Sequence, residues 1–291
     1  MIPTIKTPFA TLSLTLFLGS VVSAHGDHAS HGLSSKEESV HQEYNHQHAP
    51  SASTIQMAVQ VSQPLEKGKE VLTTITLTSK NDGKPISPAK LKEVHTEKVH
   101  LLIFDQTLND YQHIHPTPSS KAGEYTFTWT PQREGFYRVW TDLVPLSSDQ
   151  QEYVVADIPA KVKDTYPVEK TLSLKSTDDT LTYTLSFDKS SLKVGDMPLG
   201  EVTITNKDGK LFQDLEPVMG TFAHIVAISE DFQTVEHVHP IGAENPKPTE
   251  RGGPKMQFHL TPSKAGFLKI YVQVQIKGKQ HFIPFGIQVS P

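Results

Sequence analysis

One pattern occurs twice in this chain, and the repetition limits the folds that the chain can adopt. Residues 100–116 read HLLIFDQTLNDYQHIHP, and residues 224–240 read HIVAISEDFQTVEHVHP, 124 positions later and without a gap. The histidines and the proline coincide, and apolar positions match apolar positions. Further on, TPQREGF at 130–136 matches TPSKAGF at 261–267. A pattern shared over this length indicates an internal duplication.

Each copy consists of short β-patterned stretches between turn signals, without a helical periodicity. Alternation such as Tyr125-Thr-Phe127-Thr-Trp129 indicates strands with one buried and one wet face. The predicted strands of the first copy are 54–61, 71–79, 99–105, 124–130, 135–144 and 153–158. Those of the second copy are 171–175, 181–188, 200–206, 222–229, 255–260, 266–276 and 282–289. The prediction is an all-β protein of two tandem immunoglobulin-like β-sandwich domains, 53–160 and 161–291.

The first 24 residues have the pattern of an export signal. Lys6 precedes an apolar stretch over 9–22, and small residues end it at Val22-Ser23-Ala24. This pattern predicts cleavage after Ala24 and a periplasmic or secreted protein, with no membrane span in the mature chain. The alternative is that the segment is retained as an anchor, although it is short and diluted by Thr and Ser for a bilayer span.

Residues 25–52 are predicted to be a disordered, histidine-rich leader, because they hold almost no aliphatic side chains. Short tracts rich in histidine are typical of metal binding. The alternative is a solvated linker in which the histidines are incidental. The leader's candidate ligands are His25, His28, His31, His41, His46 and His48.

Charge and cysteine content exclude several classes of function. With 27 Lys and Arg against 32 Asp and Glu, the chain lacks the basic excess of a nucleic-acid binder. With no cysteine, it has no disulfide, no thiolate metal site and no cysteine nucleophile. No nucleophile elbow or phosphate-binding glycine loop is present either, so we do not expect an enzyme.

The repeated motif His-x12-His-x-His-Pro carries the chemistry. Residues i and i+2 of a strand point to the same side, so two imidazoles can converge on one ion. A hairpin centred between Gln106 and Thr107 would set His100 opposite His113 and bring His115 close by. The spacing therefore predicts one metal site per copy. The ligands are His100, His113 and His115 in the first copy, and His224, His237 and His239 in the second.

A fourth candidate ligand differs between the copies, because His95 in the first corresponds to Met219 in the second. A thioether with imidazoles favours Cu(I), whereas an all-histidine set suits Cu(II) or zinc as well. His259 and His281 are weaker candidates. The alternative is structural, with the histidines hydrogen-bonding a common loop. The sequence leaves open whether the two sites face each other.

Over 219–240 and 261–289, the motif Met-x4-His followed by a strand and His-x-His-Pro resembles a group of secreted bacterial immunoglobulin-like proteins. This group is similar in fold to YtkA-like and CopC-like domains. The resemblance implies a role in handling copper or another heavy metal, and it is weaker in the first copy, where His95 replaces the methionine.

These observations predict an exported protein that binds a transition metal, with copper as Cu(I) or Cu(II) as the first candidate. Its role would be buffering, delivery or tolerance of that metal. Its partners would be the ion and a metal-transport or metal-accepting protein. One alternative is a zinc-binding scavenger or chaperone. Another is a structural or adhesive module that binds proteins through its sandwich edges.

Overall fold

Alternating apolar and polar side chains produce the strands of the first copy. The computed structural model describes residues 53–94, 96–160, 166–178, 180–242 and 245–291. A short 3-10 turn at Pro88–Lys90 precedes the third strand. The strands are β1 Ile55–Val61, β2 Val71–Ser79, β3 Leu91–Lys92, β4 His100–Asp105, β5 Tyr111–Ile114, β6 Thr117–Pro118, β7 Glu124–Trp129, β8 Tyr137–Pro145 and β9 Glu152–Ile158.

The second copy follows the same plan. Its strands are β10 Lys175–Thr177, β11 Leu181–Phe187, β12 Leu192–Lys193, β13 Leu199–Asn206, β14 His224–Ser229, β15 Val235–Val238, β16 Lys255–His259, β17 Gly266–Ile276 and β18 Lys279–Ser290. The strand predicted at 171–175 is wrong. Leu172 and Leu174 are exposed, and the ladder with β11 begins only at Lys175.

The strand order of the first copy is that of the immunoglobulin fold. One sheet runs β1-β2-β7-β6, and the other runs β9-β8-β4-β5, with β3 on the far end of β8. These are the orders A-B-E-D and G-F-C-C′ of that fold. The second copy pairs β10-β11-β13-β16 with β12-β18-β17-β14-β15. The predicted all-β sandwich architecture is confirmed.

Each sandwich encloses its own apolar core. In the first copy the alternating side chains Tyr125, Phe127 and Trp129 of β7 lie in the core beside those of the neighbouring strand β2, Ile75 and Leu77. The second core is built in the same way around Tyr183, Val202 and Phe258. The period of two predicted from the sequence therefore fills the space between the sheets of each copy.

A third apolar cluster joins the two sandwiches. Every residue of β4 and β14 is buried, so these strands have no wet face. Their outward residues and apolar residues of the neighbouring strands and loop form one shared cluster: Leu102, Phe104, Leu108, Tyr111, Trp140, Val226, Ile228, Val235 and Tyr271. The sheets that carry the repeated motif thus pack against each other within one compact unit. This packing positions the histidines.

In the part of the chain that the structure describes, no helix is long and apolar enough to cross a membrane. The predicted signal peptide 1–24 and the leader 25–52, with its six histidines, lie outside the described residues.

Candidate metal centre

All six histidines of the repeated motif lie at the interface between the sandwiches. His100 starts β4 on the outward face that also presents Leu102, and His113 lies in the paired strand β5. His115 follows β5. We call His100, His113 and His115 the first histidine cluster, and their equivalents His224, His237 and His239 the second histidine cluster.

The predicted hairpin register is wrong by two residues. His113 pairs with Leu102, so that the next step of the ladder sets His115, not His113, beside His100. The loop is the reason. The Asp105 carboxylate accepts hydrogen bonds from the amides of Thr107, Asn109 and Asp110, and these widen the turn beyond the predicted one.

A shift of two residues keeps every side chain on its face, because side chains in a strand alternate with a period of two. The predicted convergence therefore survives the wrong register. His100 Nδ1 lies 3.3 Å from His113 Nε2 and 3.0 Å from His115 Nε2. The structure thus brings both other predicted ligands of the first copy to His100, whereas the group around His100 whose ligand atoms all lie within 4.8 Å of one another takes its third member, His237, from the second copy.

The second histidine cluster repeats this geometry closely. His224 Nδ1 lies 3.1 Å from His237 Nε2 and 2.9 Å from His239 Nε2. The same nitrogen of each ring points inward as in the first cluster. His224, His237 and His239 also form a group whose ligand atoms could hold a metal ion.

Backbone carbonyls orient the first histidine of each cluster. His100 Nε2 lies 3.0 Å from the Val94 carbonyl, and His224 Nε2 lies 3.2 Å from the Val218 carbonyl. Because a carbonyl can only accept, each ring carries its hydrogen on Nε2. The lone pair of Nδ1 is thereby turned inward.

Side chains of the opposite sandwich orient the second histidine of each cluster. His113 Nδ1 donates to Gln273 Oε1 at 2.9 Å, and the Gln273 amide donates in turn to Gln280. His237 Nδ1 donates to Asp142 Oδ2 at 3.0 Å. The outward hydrogens leave Nε2 of both rings as inward acceptors.

Each cluster therefore directs at least two nitrogen lone pairs at each other, at 3.3 Å in the first cluster and 3.1 Å in the second. Two acceptors repel unless a cation lies between them. Zinc binds imidazole nitrogen at about 2.0 Å, so two such ligands of a tetrahedral ion are about 3.3 Å apart. The spacing and the tautomers suit a metal ion, and second-sphere acceptors of this kind are typical of metal sites.

The two clusters are in direct contact with each other. The His113 ring centroid lies 4.8 Å from that of His237 and 5.0 Å from that of His224. A mixed set of His100, His113 and His237 also has its ligand atoms within 4.8 Å of one another. The two clusters therefore face each other, a point that the sequence left open.

Burial keeps two rings of the first cluster, His113 and His115, neutral. Loss of hydration holds the pKa of His113 well below its ordinary value, and the neighbouring rings His224, His100 and His115 lower it further. Burial lowers the pKa of His115 to about 4. Neutral imidazole is the form that binds metals, so these rings are in the ligating form at neutral pH.

The remaining predicted ligands are His95, Met219 and the weaker candidates. His95 lies outside the described residues. Met219 directly follows Val218, in a two-residue turn that Val218 and Thr221 close, and has a left-handed φ of 51°. The weaker candidate His281 lies 3.4 Å from the Asp178 carboxylate, in a pair away from the clusters.

Sequence reasoning missed Asp142, Gln273 and Gln151. Gln151 donates to both carboxylate oxygens of Asp142, at 2.7 and 2.8 Å. A signal for the first two existed. Asp142 and Gln273 are 131 positions apart, the offset that also relates Thr130 to Thr261. A polar residue therefore stands at the same place in both copies, in strands that are mostly apolar.

The comparison with protein families matches both copies. A family described as a domain of unknown function, DUF8832, matches residues 41–161 and 175–291. The chain belongs to the DUF8832 family. Its two matched segments contain the two histidine clusters, one in each. No curated protein matches the sequence.

Solved structures are similar only at a low level. A trypsin-activated alpha-2-macroglobulin from Escherichia coli is 15% identical with a TM-score of 0.25, over 82% of this chain and 16% of that one. The ectodomain of mouse nectin-like molecule 4 is 10% identical with a TM-score of 0.20, over 80% of this chain and 63% of that one. The D00-D0 domain of Intimin is 12% identical with a TM-score of 0.21, over 79% and 98%. Similarity at this level carries no conclusion about the function of this DUF8832 protein.

Proposed function

We propose that this protein binds a first-row transition metal ion, copper in first place, through the two histidine clusters. Its role would be buffering, delivery or tolerance of that ion outside the cytoplasm. The observation that carries the proposal is the convergence of lone pairs. In each cluster the outward nitrogens of two rings donate to fixed acceptors, and their inward nitrogens lie 3.3 or 3.1 Å apart.

The donor chemistry supports copper and leaves zinc as the second candidate. Imidazole nitrogen suits copper, zinc, iron and nickel, whereas magnesium and calcium prefer oxygen. Met219 directly follows Val218, whose carbonyl orients His224, so the chain carries a soft thioether one residue from that contact. The resemblance to copper-associated secreted domains points the same way.

The predicted leader would act as a first point of capture. The described chain begins at Ser53, whose hydroxyl donates to the Glu152 carboxylate at 2.8 Å. Glu152 follows Gln151, which binds Asp142, the acceptor of His237. Ser53, the first described residue after the predicted leader, is thus bound to the sequence neighbour of Gln151. Export of the chain is inferred from the pattern at 1–24.

Metal titration of the full chain tests the proposal. The double variant His113→Ala/His115→Ala should bind about one ion fewer than the wild type, measured by elemental analysis after dialysis. His281→Ala serves as the control, because His281 lies outside both clusters. Equal metal content in the double variant and the wild type would refute the proposal. Competition among Cu(I), Cu(II) and Zn(II) then ranks copper against zinc.

A structural or adhesive module remains the alternative, because the immunoglobulin strand order is shared by many cell-surface binding domains. In that case binding to a partner protein should survive both chelation and the histidine substitutions. An enzymatic role is not proposed.

A further inference from the structure

The two histidine clusters differ in the side chain that each receives from the opposite sandwich. His237 of the second cluster donates to the carboxylate of Asp142, and His113 of the first cluster donates to the amide oxygen of Gln273. Asp142 in β8 and Gln273 in β17 hold equivalent places, each opposite the first histidine of its own copy. The geometry is therefore shared, but the charge is not.

We infer that the two clusters form one centre with two unequal ion positions, and that Asp142 makes the second histidine cluster load first. The inference rests on the proposed metal-binding function and adds an order of loading to it. It also assigns Asp142 and Gln273 as positioning residues that act on each cluster from the other sandwich.

The first step is the charge of Asp142. The residue is buried, and its oxygens accept hydrogen bonds from Gln151 and His237. The carboxylate is therefore held against the ring of His237. A carboxylate in this place makes the imidazole a stronger ligand and offsets the charge of a bound cation. Loss of such a partner typically weakens metal binding 10- to 100-fold. Gln273 orients His113 equally well but brings no net charge.

Other charges near the clusters do not reverse this order. The Glu97 carboxylate lies 3.8 Å from His115 Nδ1, but its side chain is 47% exposed. Solvent screens an exposed charge of this kind strongly. Lys98, of opposite sign, lines the same small cavity of about 20 Å³ as Glu97. Asp142 differs from these two charged groups of the described chain, because its carboxylate is buried and accepts a hydrogen bond from a histidine of the second cluster.

The second step is repulsion between bound ions. Rings of the two clusters are in contact, with centroids 4.8 Å apart for His113 and His237 and 5.5 Å for His100 and His237. At equal separation two divalent ions repel about four times more strongly than two monovalent ions. The difference between first and second ion should therefore be large for Zn(II) and smaller for Cu(I).

The test is a Zn(II) titration of the full chain, followed through the ¹⁵N signals of the histidine rings. Assignment uses His115→Ala for the first cluster and His239→Ala for the second. In the wild type, the second-cluster signals should change with the first equivalent. Asp142→Asn should weaken that binding 10- to 100-fold and remove the preference. Asp142→Asn combined with Gln273→Glu should reverse it.

Glu97→Gln is the matched control, since it removes a nearby carboxylate that is exposed, and it should leave the order unchanged. The inference is overturned if both clusters respond together in the wild type, or if Asp142→Asn keeps the wild-type order. Gln273→Glu alone provides a second test should Asp142→Asn not fold, and it should strengthen binding at the first cluster. If none of the six rings responds to Zn(II) or to Cu(I), the proposed function itself fails, which is a different outcome.

Discussion

The two copies of the repeat agree in what orients the histidine rings and differ in what surrounds them. In both, a carbonyl at the same turn position binds the first ring, and a side chain from the opposite sandwich binds the second. The surrounding charge differs, with Asp142 behind one cluster and Gln273 behind the other. The difference teaches that duplication can keep the geometry of a histidine cluster while changing the charge beside it.

The apolar half of the interface is also asymmetric. Phe104 of β4 stacks on Tyr111 with centroids 4.8 Å apart, whereas the equivalent of Phe104 in β14 is Ile228. Both residues are fully buried. The packing of these apolar residues sets the distance between the two sheets. That distance in turn determines how closely the histidine clusters approach each other.

The largest expected effect comes from breaking this packing in the first copy. Phe104→Ala should lower the free energy of unfolding by about 3–5 kcal/mol, because it leaves a cavity between the sheets. The corresponding truncation in the second copy, Ile228→Ala, removes a smaller side chain and should cost less, within about 2–5 kcal/mol. Urea unfolding of the metal-free variants measures both. Equal losses would show that the two copies contribute alike to the interface.

Acid should destabilise the metal-free protein through the first cluster. The pKa of His115 is lowered to about 4 by burial, from 6.5, so between these values the unfolded chain binds a proton that the folded chain does not. Stability is therefore present above pH 6.5 and falls as pH drops towards 4, by about 3 kcal/mol for this residue. His113 contributes in the same direction.

Urea unfolding in the presence of a chelator, at pH 7.5 and pH 4.5, measures this loss. His115→Ala serves as the comparison, because it lacks the ring and should lose less stability over the same range. An identical pH dependence in both proteins would contradict the assignment of the effect to His115.

Bound metal should stabilise the protein unequally through the two clusters. At a free ion concentration of 100 times Kd, one occupied site adds about 2.7 kcal/mol. Both double variants are compared at the same Zn(II) concentration. His237→Ala/His239→Ala should lose more of this gain than His113→Ala/His115→Ala, because it removes the second histidine cluster, which Asp142 supports. Thermal unfolding with and without Zn(II) checks this. Equal gains in the two double variants would argue for equivalent sites.

The smallest expected effect concerns the turn at Met219. A left-handed conformation costs a residue with a side chain about 1 kcal/mol, and Met219 has a φ of 51°. Met219→Gly should therefore stabilise the metal-free protein by up to about 1 kcal/mol. If the thioether is a ligand, the same variant should bind Cu(I) more weakly and Zn(II) unchanged. An unchanged Cu(I) affinity would exclude Met219 from the ligand set.

Much of the fold could be predicted because alternation is a local property. Strands Val71–Ser79 and Gly266–Ile276 have the predicted bounds, and the face shared by His100, His113 and His115 follows from the period of two. The hairpin register was wrong because it depended on the Asp105 carboxylate, whose hydrogen bonds to three amides widen the loop. Side-chain hydrogen bonding of this kind leaves no trace in hydrophobic periodicity.

The sequence by itself determined the duplication, the sandwich strands and the set of six histidines that the structure brings together, since each follows from spacing along one covalent chain. Only the tertiary structure decided that β4 and β14 are covered on both faces, that the clusters touch, and that Asp142 and Gln273 cross between sandwiches. An apolar run shows that a strand is buried but not which surface covers it. That choice depends on contacts between residues more than a hundred positions apart.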